Sequence, residues 1–187
     1  LDAHHGKSRV IGGAVRNTLM GMPISDIDIA TEFLPEVVIE RVIGAGLNVY
    51  PTGIEHGTVT VVADNMAVEV TTLRRDVETD GRRAVVAFST DWRDDALRRD
   101  FTINALSCDA TGRIYDPVGG LKDLRARRVR FIGDANSRIR EDYLRILRFF
   151  RFTSAYAAGL PDQVGLAACL ALQDGLKQLS GERIGAE

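Results

Sequence analysis

The sequence predicts an α+β protein with a mixed α/β part at residues 1–135 and an all-helical part at residues 136–187. In the first part, short runs that alternate apolar and polar residues, as strands do, are interleaved with runs of helical period. After "RVRFIGD" only the helical period continues. Hydrophobic residues make up 45% of the 187 residues and charged residues 27%, which is typical of a globular chain with a sizeable core.

The elements follow one another without an internal repeat. The patterns predict a strand at "RVIGG", a short helix at "AVRNTLMG", a strand around "SDIDIA" and a helix at "LPEVVIERVIGAG". "HGTVTVVAD" and "MAVEVTTL" predict a hairpin, and the polar stretch from Arg75 to Phe88 predicts a mobile loop. We expect a helix running towards a strand in "DDALRRDFTINALSCDA", and a strand, a turn and a helix start in "GRIYDPVGGLKDLRA". The helical part begins with one helix, "SRIREDYLRILRFFRFTSAY", and ends in a helix that Ser180 caps.

Cysteine content and hydropathy limit the class of protein. Cys108 and Cys169 are far apart, which disfavours a disulfide scaffold or a zinc finger and favours a reducing compartment. No apolar run approaches the roughly 18 residues of a membrane helix, and no secretory signal opens the chain. We therefore expect a cytoplasmic protein without a membrane partner. The adjacent His4 and His5 have no partners at ligand spacing and are interpreted as part of the terminus.

The charge is distributed unevenly along a chain whose net charge is −2. From Lys122 to Arg151 there are ten Lys or Arg residues and four Asp or Glu residues, whereas the remainder has 14 basic and 22 acidic residues. Such asymmetry indicates that one segment meets a polyanion, for example the phosphates of a nucleotide. A solvated helix face is the simpler alternative.

The stretch "PISDIDIATE" carries Asp26 and Asp28 two positions apart. In a strand such positions share one face and lie about 7 Å apart, where like charges disfavour each other. Taken alone, the pair fits the polar face of a half-buried strand. The second interpretation is a divalent-metal site, because Mg²⁺ prefers carboxylate oxygens and also takes phosphate oxygens. Glu69, on the polar face of a later strand, is available to the same metals if that strand is adjacent.

The stretch "GGAVR" places Gly12 and Gly13 between a predicted strand and a predicted helix. Glycines let the backbone approach a ligand closely, and a helix N-terminus presents unpaired N–H groups to a phosphate. Arg16 adds a cation to the same place. An ordinary strand-to-helix turn is the alternative interpretation of the two glycines.

Five motifs in one order carry a family resemblance. They are "GGAVRNTLMGMPISDIDIAT", "HGTVTVV" with "VEVTTLR", "RRDFTINAL", "YDPVGGLKDL" and "EDYLRILRFFRF". Together they resemble the class II tRNA nucleotidyltransferases, or CCA-adding enzymes, and the similar bacterial poly(A) polymerases. The resemblance implies a palm-like, mixed-sheet nucleotidyltransferase head at residues 1–135 and a nucleotide-reading helical neck at residues 136–187. It also implies a chain truncated before the body and tail domains that hold tRNA.

The resemblance further implies roles for individual residues. Asp26 and Asp28 match the metal-binding catalytic pair, with Glu69 as a third metal ligand, and the cofactor implied is Mg²⁺, as two ions. The nucleotide-binding positions implied are Gly12, Gly13, Arg16, Arg99, Asp100, Asn104, Asp142, Arg145, Arg148 and Arg151. Among these, Arg99 would contact phosphate, while Asp100 and Asn104 would help to place the sugar. Asn17 departs from the pattern, because the family usually has Asp after the arginine.

Asp142 and Arg145 would act as an amino-acid template for the incoming base. An ionised Asp only accepts hydrogen bonds and an Arg only donates them. Cytosine and adenine both present an amino donor beside an unprotonated ring nitrogen, whereas uracil and guanine present the reverse, so the pair would accept C and A. Read from the residues alone, Asp142 and Arg145 are equally a surface ion pair.

The implied activity is the addition of C and A to the tRNA 3′ end from CTP and ATP, with no obligatory protein partner evident. A poly(A) polymerase, or an enzyme that adds only CC or only A, remains open within the same class. A non-catalytic RNA- or nucleotide-binding module of the same fold is the alternative from another class. The intact Asp26, Asp28 and Arg145 favour an enzyme.

Overall fold

The structure, a computed structural model, describes residues 6–79 and 84–187. His4, His5 and residues 80–83 of the expected loop lie outside the described residues. Strands and helices of both kinds are present, and the predicted α+β class is confirmed. The strands are β1 Ser8–Ile11, β2 Asp28–Thr31, β3 Asn48–Gly53, β4 Thr58–Ala63, β5 Met66–Thr72, β6 Arg74–Thr79, β7 Ala84–Phe88, β8 Ser107–Cys108 and β9 Ile114–Tyr115. The helices are α1 Gly13–Met20, α2 Pro35–Gly44, α3 Trp92–Leu97, α4 Gly120–Arg125, α5 Ala135–Glu141, α6 Leu144–Tyr156, α7 Gln163–Ala171 and α8 Gly181–Ala186.

The main sheet of the described part has the strand order β3-β4-β5-β2-β1-β8-β9. Its neighbours pair antiparallel except β2 and β5, which pair parallel, so the sheet is mixed. The hairpin of β4 and β5 was predicted from its alternation, and it turns through Asp64 and Asn65, both with positive φ. Helix α1 ends at Gly21, whose φ of 65° is the left-handed conformation that favours glycine.

The two faces of the main sheet have different environments. Val59, Val61 and Val70 are buried and pack with Val38 and Val42 of α2. Because side chains alternate along a strand, the residues between these valines lie on the opposite face. That face carries Thr58 and Thr60 of β4 and Thr71 of β5, where the hydroxyls of Thr58 and Thr71 are 2.9 Å apart, and it is the polar face of the sheet.

Two parts of the strand prediction were wrong. Strand β3 was missed because it contains Pro51, which cannot donate a ladder hydrogen bond; an edge strand tolerates proline, and β3 lies at the edge. The mobile loop expected from Arg75 to Phe88 contains two strands instead. Strands β6 and β7 pair antiparallel from Arg74 opposite Phe88 to Thr79 opposite Ala84. Four of the six residues of β6 are charged and β7 is a short apolar run, so neither strand shows an alternation of apolar and polar residues.

The single helix expected from Ser137 to Tyr156 is divided into α5 and α6. Asp142 has extended backbone between them, and its Oδ1 accepts a hydrogen bond from the Leu144 N–H at 3.1 Å. Asp side chains compete in this way with helical hydrogen bonds and begin a new helix. The N-cap predicted at Ser180 is confirmed, because its side chain accepts from the Arg183 N–H.

The largest apolar cluster joins the mixed part to the helical part. Phe101 and Phe131 contribute from one side of residue 135, and Phe149 and Phe152 from the other. The rings of Phe131 and Phe149 stack with centroids 5.4 Å apart. Residues before and after 135 therefore share one core, which fixes α6 relative to the sheet. Over residues 6–79 and 84–187, none of the helices has the length and apolarity needed to cross a bilayer.

Candidate active site

Two of the acidic residues singled out in the sequence, Asp28 and Glu69, lie side by side on the polar face of the sheet. Asp28 is the first residue of β2 and stands directly opposite Glu69 of the parallel strand β5. Neighbouring strands are about 4.8 Å apart and register partners share a face, so the two carboxylates point the same way. Ile29 and Val70, one position later, pack into the core on the other face.

Asp26 lies outside the strand, contrary to the side-by-side arrangement expected in one strand. The pairing of β1 with β2 stops at Ile11 opposite Asp28, because Gly12 turns the chain with a φ of 63°. Residues 22–27 consequently have no regular structure. Asp26, Asp28 and Glu69 are all exposed, and we call them the carboxylate edge.

Charge at the carboxylate edge affects the pKa of Asp28. Partial burial raises the pKa of this carboxyl, and the charge of Asp26 raises it further, while Arg99 opposes both. A divalent cation would remove this repulsion, and exposed carboxylate oxygens are the ligands that Mg²⁺ prefers. The donor set therefore fits such a cation. Within the described residues, however, no three Asp, Glu, His or Cys side chains are already gathered as a metal site.

The glycine turn lies beside this edge. Gly12 precedes α1, and its N–H donates to the carbonyl of Leu106 at 3.0 Å. A Cβ added at Gly12 would lie 3.5 Å from Nη1 of Arg99. The positive φ of Gly12 would also strain the backbone of any other residue at this position. No side chain caps the N-terminus of α1. The predicted strand-to-helix turn is thus open at its N–H groups and adjacent to a cation.

Arg99 is held by a residue that the sequence reading missed. Its Nη2 donates to Oδ2 of Asp95 at 2.9 Å, and Arg98 also pairs with Asp95 at 2.8 Å. Burial raises the pKa of the Asp95 carboxyl, but Arg99 and Arg98 outweigh it, so this pKa lies below its ordinary value. The spacing of four residues between Asp95 and Arg99 is the helical ion-pair signal that could have found it.

A buried polar chain connects the glycine turn to helix α6; it consists of Arg16, Asn104, Asp100 and Arg148, and we call it the arginine network. Arg16 Nη1 donates to Asn104 Oδ1, and Asn104 Nδ2 donates to Asp100 Oδ1 at 3.0 Å. Asp100 Oδ2 accepts from Arg148 Nε at 2.8 Å. Burial lowers the pKa of Arg148, but Asp100 and Glu187 together raise it more, so this pKa lies above its ordinary value.

Asp142 and Arg145 do not form the surface ion pair considered from the sequence. Asp142 accepts two hydrogen bonds from Arg183 of α8, at 2.9 and 3.1 Å. Arg145 donates to Glu141 and to the carbonyl of Arg138. Each of these two side chains is therefore oriented by a partner of its own. Arg151, the last of the nucleotide-binding positions implied for α6, pairs with Glu187 at 2.5 Å.

Comparisons with known proteins agree on one family. The family model described as "Poly A polymerase head domain" matches residues 8–130. The "CCA tRNA nucleotidyltransferase 1, mitochondrial" of Danio rerio is 47% identical over 182 residues, covering 96% of this chain and 42% of that protein. The chain thus spans less than half the length of this relative.

Solved structures give the same result. The Bacillus stearothermophilus CCA-adding enzyme in complex with CTP has a TM-score of 0.82 and 39% identity, over 94% of this chain and 42% of that one. A tRNA nucleotidyltransferase complexed with a primer tRNA and an incoming ATP analog has a TM-score of 0.74 and 26% identity. That match covers 95% of this chain and 50% of the other.

Proposed function

We infer that this chain, which belongs to the poly A polymerase head-domain family, is the head and neck of an RNA nucleotidyltransferase that adds C, C and A to the tRNA 3′ end. The nucleotides come from CTP and ATP, and no nucleic-acid template is used. The observation that carries the proposal is the position of the carboxylate edge beside the glycine turn and Arg99, together with the arginine network that ties Arg16 to helix α6. The carboxylates that would bind a metal, the arginines that would bind phosphates and the helix that would read the base are thus connected in one site.

The carboxylate edge would hold the divalent metal on which this family depends. Asp28 and Glu69 offer oxygens from adjacent strands, and Asp26 adds a third carboxylate from the segment before β2. We propose Mg²⁺, as two ions. When bound, Mg²⁺ lowers the pKa of an attacking hydroxyl and stabilises the charge on the phosphates. Arg99 would hold phosphate oxygens next to the metal.

The base would be selected between α5 and α6. Asp142 and Arg145 lie at the start of α6 and point their acceptor and donor groups at Arg183 and Glu141 in this structure. Cytosine or adenine would replace these partners as the hydrogen-bond donor to Asp142 and the acceptor from Arg145. Uracil and guanine would place a ring N–H against the Arg145 donor and a carbonyl against the Asp142 acceptor, so that neither bond forms. Discrimination follows from the penalty for unpaired polar groups.

The experiment that tests this function supplies nucleotides singly and together. Full-length protein, Mg²⁺ and a tRNA lacking its last three nucleotides are incubated with labelled nucleotides, and the products are sized on a gel. Addition that stops after C-C-A supports the proposal. Addition that stops at C-C, or of a final A alone, indicates a split activity, and a long A ladder indicates a poly(A) polymerase. No incorporation by folded protein indicates the binding module.

The cytoplasm stays our proposal for the compartment, on the low cysteine content alone. The Danio rerio relative is a mitochondrial protein by name. Fractionation of cells that express the full-length protein, followed by detection in the organelle and soluble fractions, distinguishes the two compartments.

A further inference from the structure

The last residue of helix α6, Tyr156, touches Arg16 in two ways. Arg16 Nη2 donates a hydrogen bond to the Tyr156 hydroxyl at 2.7 Å. The guanidinium of Arg16 also lies over the Tyr156 ring, 3.9 Å from its centroid. Arg16 is only 6% exposed, so both contacts occur away from water, where they are stronger than at a surface.

Nearly every donor of Arg16 is bound within the protein. The guanidinium has five N–H groups. Nε and Nη2 both donate to Asn17 Oδ1, at 3.0 and 2.9 Å, and Nη2 also donates to Tyr156. Nη1 donates to Asn104 Oδ1. Within the described part of the chain, one N–H on Nη1 is left for a ligand.

This arrangement decides how Arg16 acts. A guanidinium that grips a phosphate in a bidentate manner needs two parallel N–H groups. Arg16 has only one to offer unless it releases Asn17, Asn104 or Tyr156. The direction in which this one N–H points consequently determines whether Arg16 can contact a phosphate. That direction is set by the three side chains that hold the guanidinium. Asn17 is its chain neighbour and Asn104 belongs to the arginine network, so Tyr156 is the direct tie from α6.

We propose that Tyr156 is a positioning residue, which fixes Arg16 toward the nucleotide and links the base-reading helix to the glycine turn. The inference rests on the proposed nucleotidyltransferase function. Helix α6 reaches Arg16 through hydrogen bonds at two points, near its start through Arg148, Asp100 and Asn104 and at its end through Tyr156. The guanidinium also lies over the Phe152 ring, 5.2 Å from its centroid. One helix would thus place both Arg145, which reads the base, and the cation at the glycine turn.

Tyr156 also has a packing role, and the test has to separate the two. Its ring is tilted against the Phe152 ring, with centroids 5.5 Å apart. The substitution Tyr156→Phe keeps the ring and its cation–π contact and removes only the hydroxyl. Tyr115→Phe is the matched control, because it removes a tyrosine hydroxyl that donates to Asp109 at 2.8 Å, and the arginines recorded over its ring are Arg9 and Arg113 rather than Arg16.

The experiment measures steady-state incorporation by the full-length protein, with CTP and ATP varied separately. Because the Arg16 contact is the same for both nucleotides, Tyr156→Phe should raise KM for CTP and for ATP by the same factor, about three- to tenfold, with kcat within twofold. Tyr115→Phe should leave both constants unchanged. In an Arg16→Lys background, Tyr156→Phe should raise KM no further, since the contact it removes is already gone.

Other results overturn the inference. An unchanged KM in Tyr156→Phe, an equal rise in Tyr115→Phe, or full additivity with Arg16→Lys would each show that the hydroxyl does not position Arg16. Equilibrium titration with a fluorescent CTP analogue repeats the comparison without turnover. If the unsubstituted protein adds no nucleotide, the proposed function fails, while weaker analogue binding by Tyr156→Phe would still support the Tyr156 inference and unchanged binding would refute it.

Discussion

The carboxylate edge and the arginine network lie side by side but differ in how their charges are balanced. Asp26, Asp28 and Glu69 are exposed, and repulsion and burial raise the pKa of Asp28. In the network, Asp100 is buried and receives hydrogen bonds from Asn104 and Arg148. The three carboxylates of the carboxylate edge are thus not neutralised as Asp100 is, and a cation from solution would balance their charge.

This difference separates the carboxylate edge, whose charge balance depends on a bound ligand, from the arginine network, which is ordered without one. A group of exposed like charges is unfavourable by itself and becomes favourable only with a ligand. Buried and fully paired charges are ordered in advance, so they hold a ligand without rearranging. We therefore expect metal binding to depend on the carboxylate edge and nucleotide alignment to depend on the network. Substitutions in the two regions should have different signatures.

The largest effect is expected at the carboxylate edge. Asp28→Asn removes the central ligand charge without changing the shape of the side chain, and it should lower incorporation by on the order of 1,000-fold. Stability should not fall, because partial burial and the charge of Asp26 together disfavour the ionised Asp28 more than Arg99 favours it. Product formation and the thermal midpoint are measured together. Asp174→Asn, on an exposed acid, is the control; retained activity in Asp28→Asn would refute the metal assignment.

Substitutions in the arginine network should mainly lower the free energy of unfolding. Asp100→Ala removes the acceptor that Arg148 Nε and Asn104 Nδ2 share, while Arg148 Nη1 keeps Glu187 at 3.3 Å, so we expect a loss of about 2–3 kcal/mol in the free energy of unfolding. The figure is below that of a fully buried pair, because the Arg148 side chain is 30% exposed. Urea unfolding followed by circular dichroism measures it. Asp174→Ala, which breaks the exposed pair with Lys177, should change stability by less than about 0.5 kcal/mol. Equal effects at both positions would contradict a preorganised network.

A smaller effect is expected on base choice. Arg145→Ala removes the donor of the base template, and preference for C and A over U and G should fall by about 10- to 100-fold. Competition between CTP and UTP in single-nucleotide addition measures the ratio. Arg140→Ala, on an exposed arginine of α5, is the matched control and should keep the preference. An unaltered ratio in Arg145→Ala would exclude this arginine from base reading.

The parts of the site that lie close together in sequence were predictable. Gly12, Gly13 and Arg16 lie within five residues, and their strand-to-helix turn was predicted correctly. The spacing of Asp26 and Asp28 is equally local, but the arrangement in one strand that it predicted is wrong, because β2 begins only at Asp28. The pairing of Asp28 with Glu69 needed the parallel contact of β2 and β5, which no local pattern contains. It could be stated from the sequence only as a condition, that the second strand be adjacent.

The contacts that orient these residues could not be read from the sequence. Tyr156 is 140 positions from Arg16, and Arg183 is 41 positions from Asp142. Periodicity reports which face of an element is buried, whereas such pairs depend on how elements pack. The break between α5 and α6 is an intermediate case, since Asp142 in a helical run is a known competitor for backbone hydrogen bonds.

The smallest effect concerns Asn17, where the resembled family usually has Asp. Asn17 Oδ1 accepts from Arg16 twice, and its Nδ2 donates to the Pro23 carbonyl at 2.8 Å, which ties α1 to the segment that leads to Asp26. Asn17→Asp strengthens the first contact by charge and removes the second, so the free energy of unfolding should change by less than about 1 kcal/mol.

The added negative charge of Asn17→Asp lies beside the site proposed for the phosphates. It should raise KM for CTP and ATP about two- to threefold at low salt, and less at high salt, because ions screen charges near the surface. Kinetics at two ionic strengths measure this, with Asn17→Ser as an uncharged variant that loses both the Pro23 bond and the contact with Arg16. A rise in Asn17→Asp that is insensitive to salt would assign the effect to the lost tie between α1 and the Asp26 segment and not to charge.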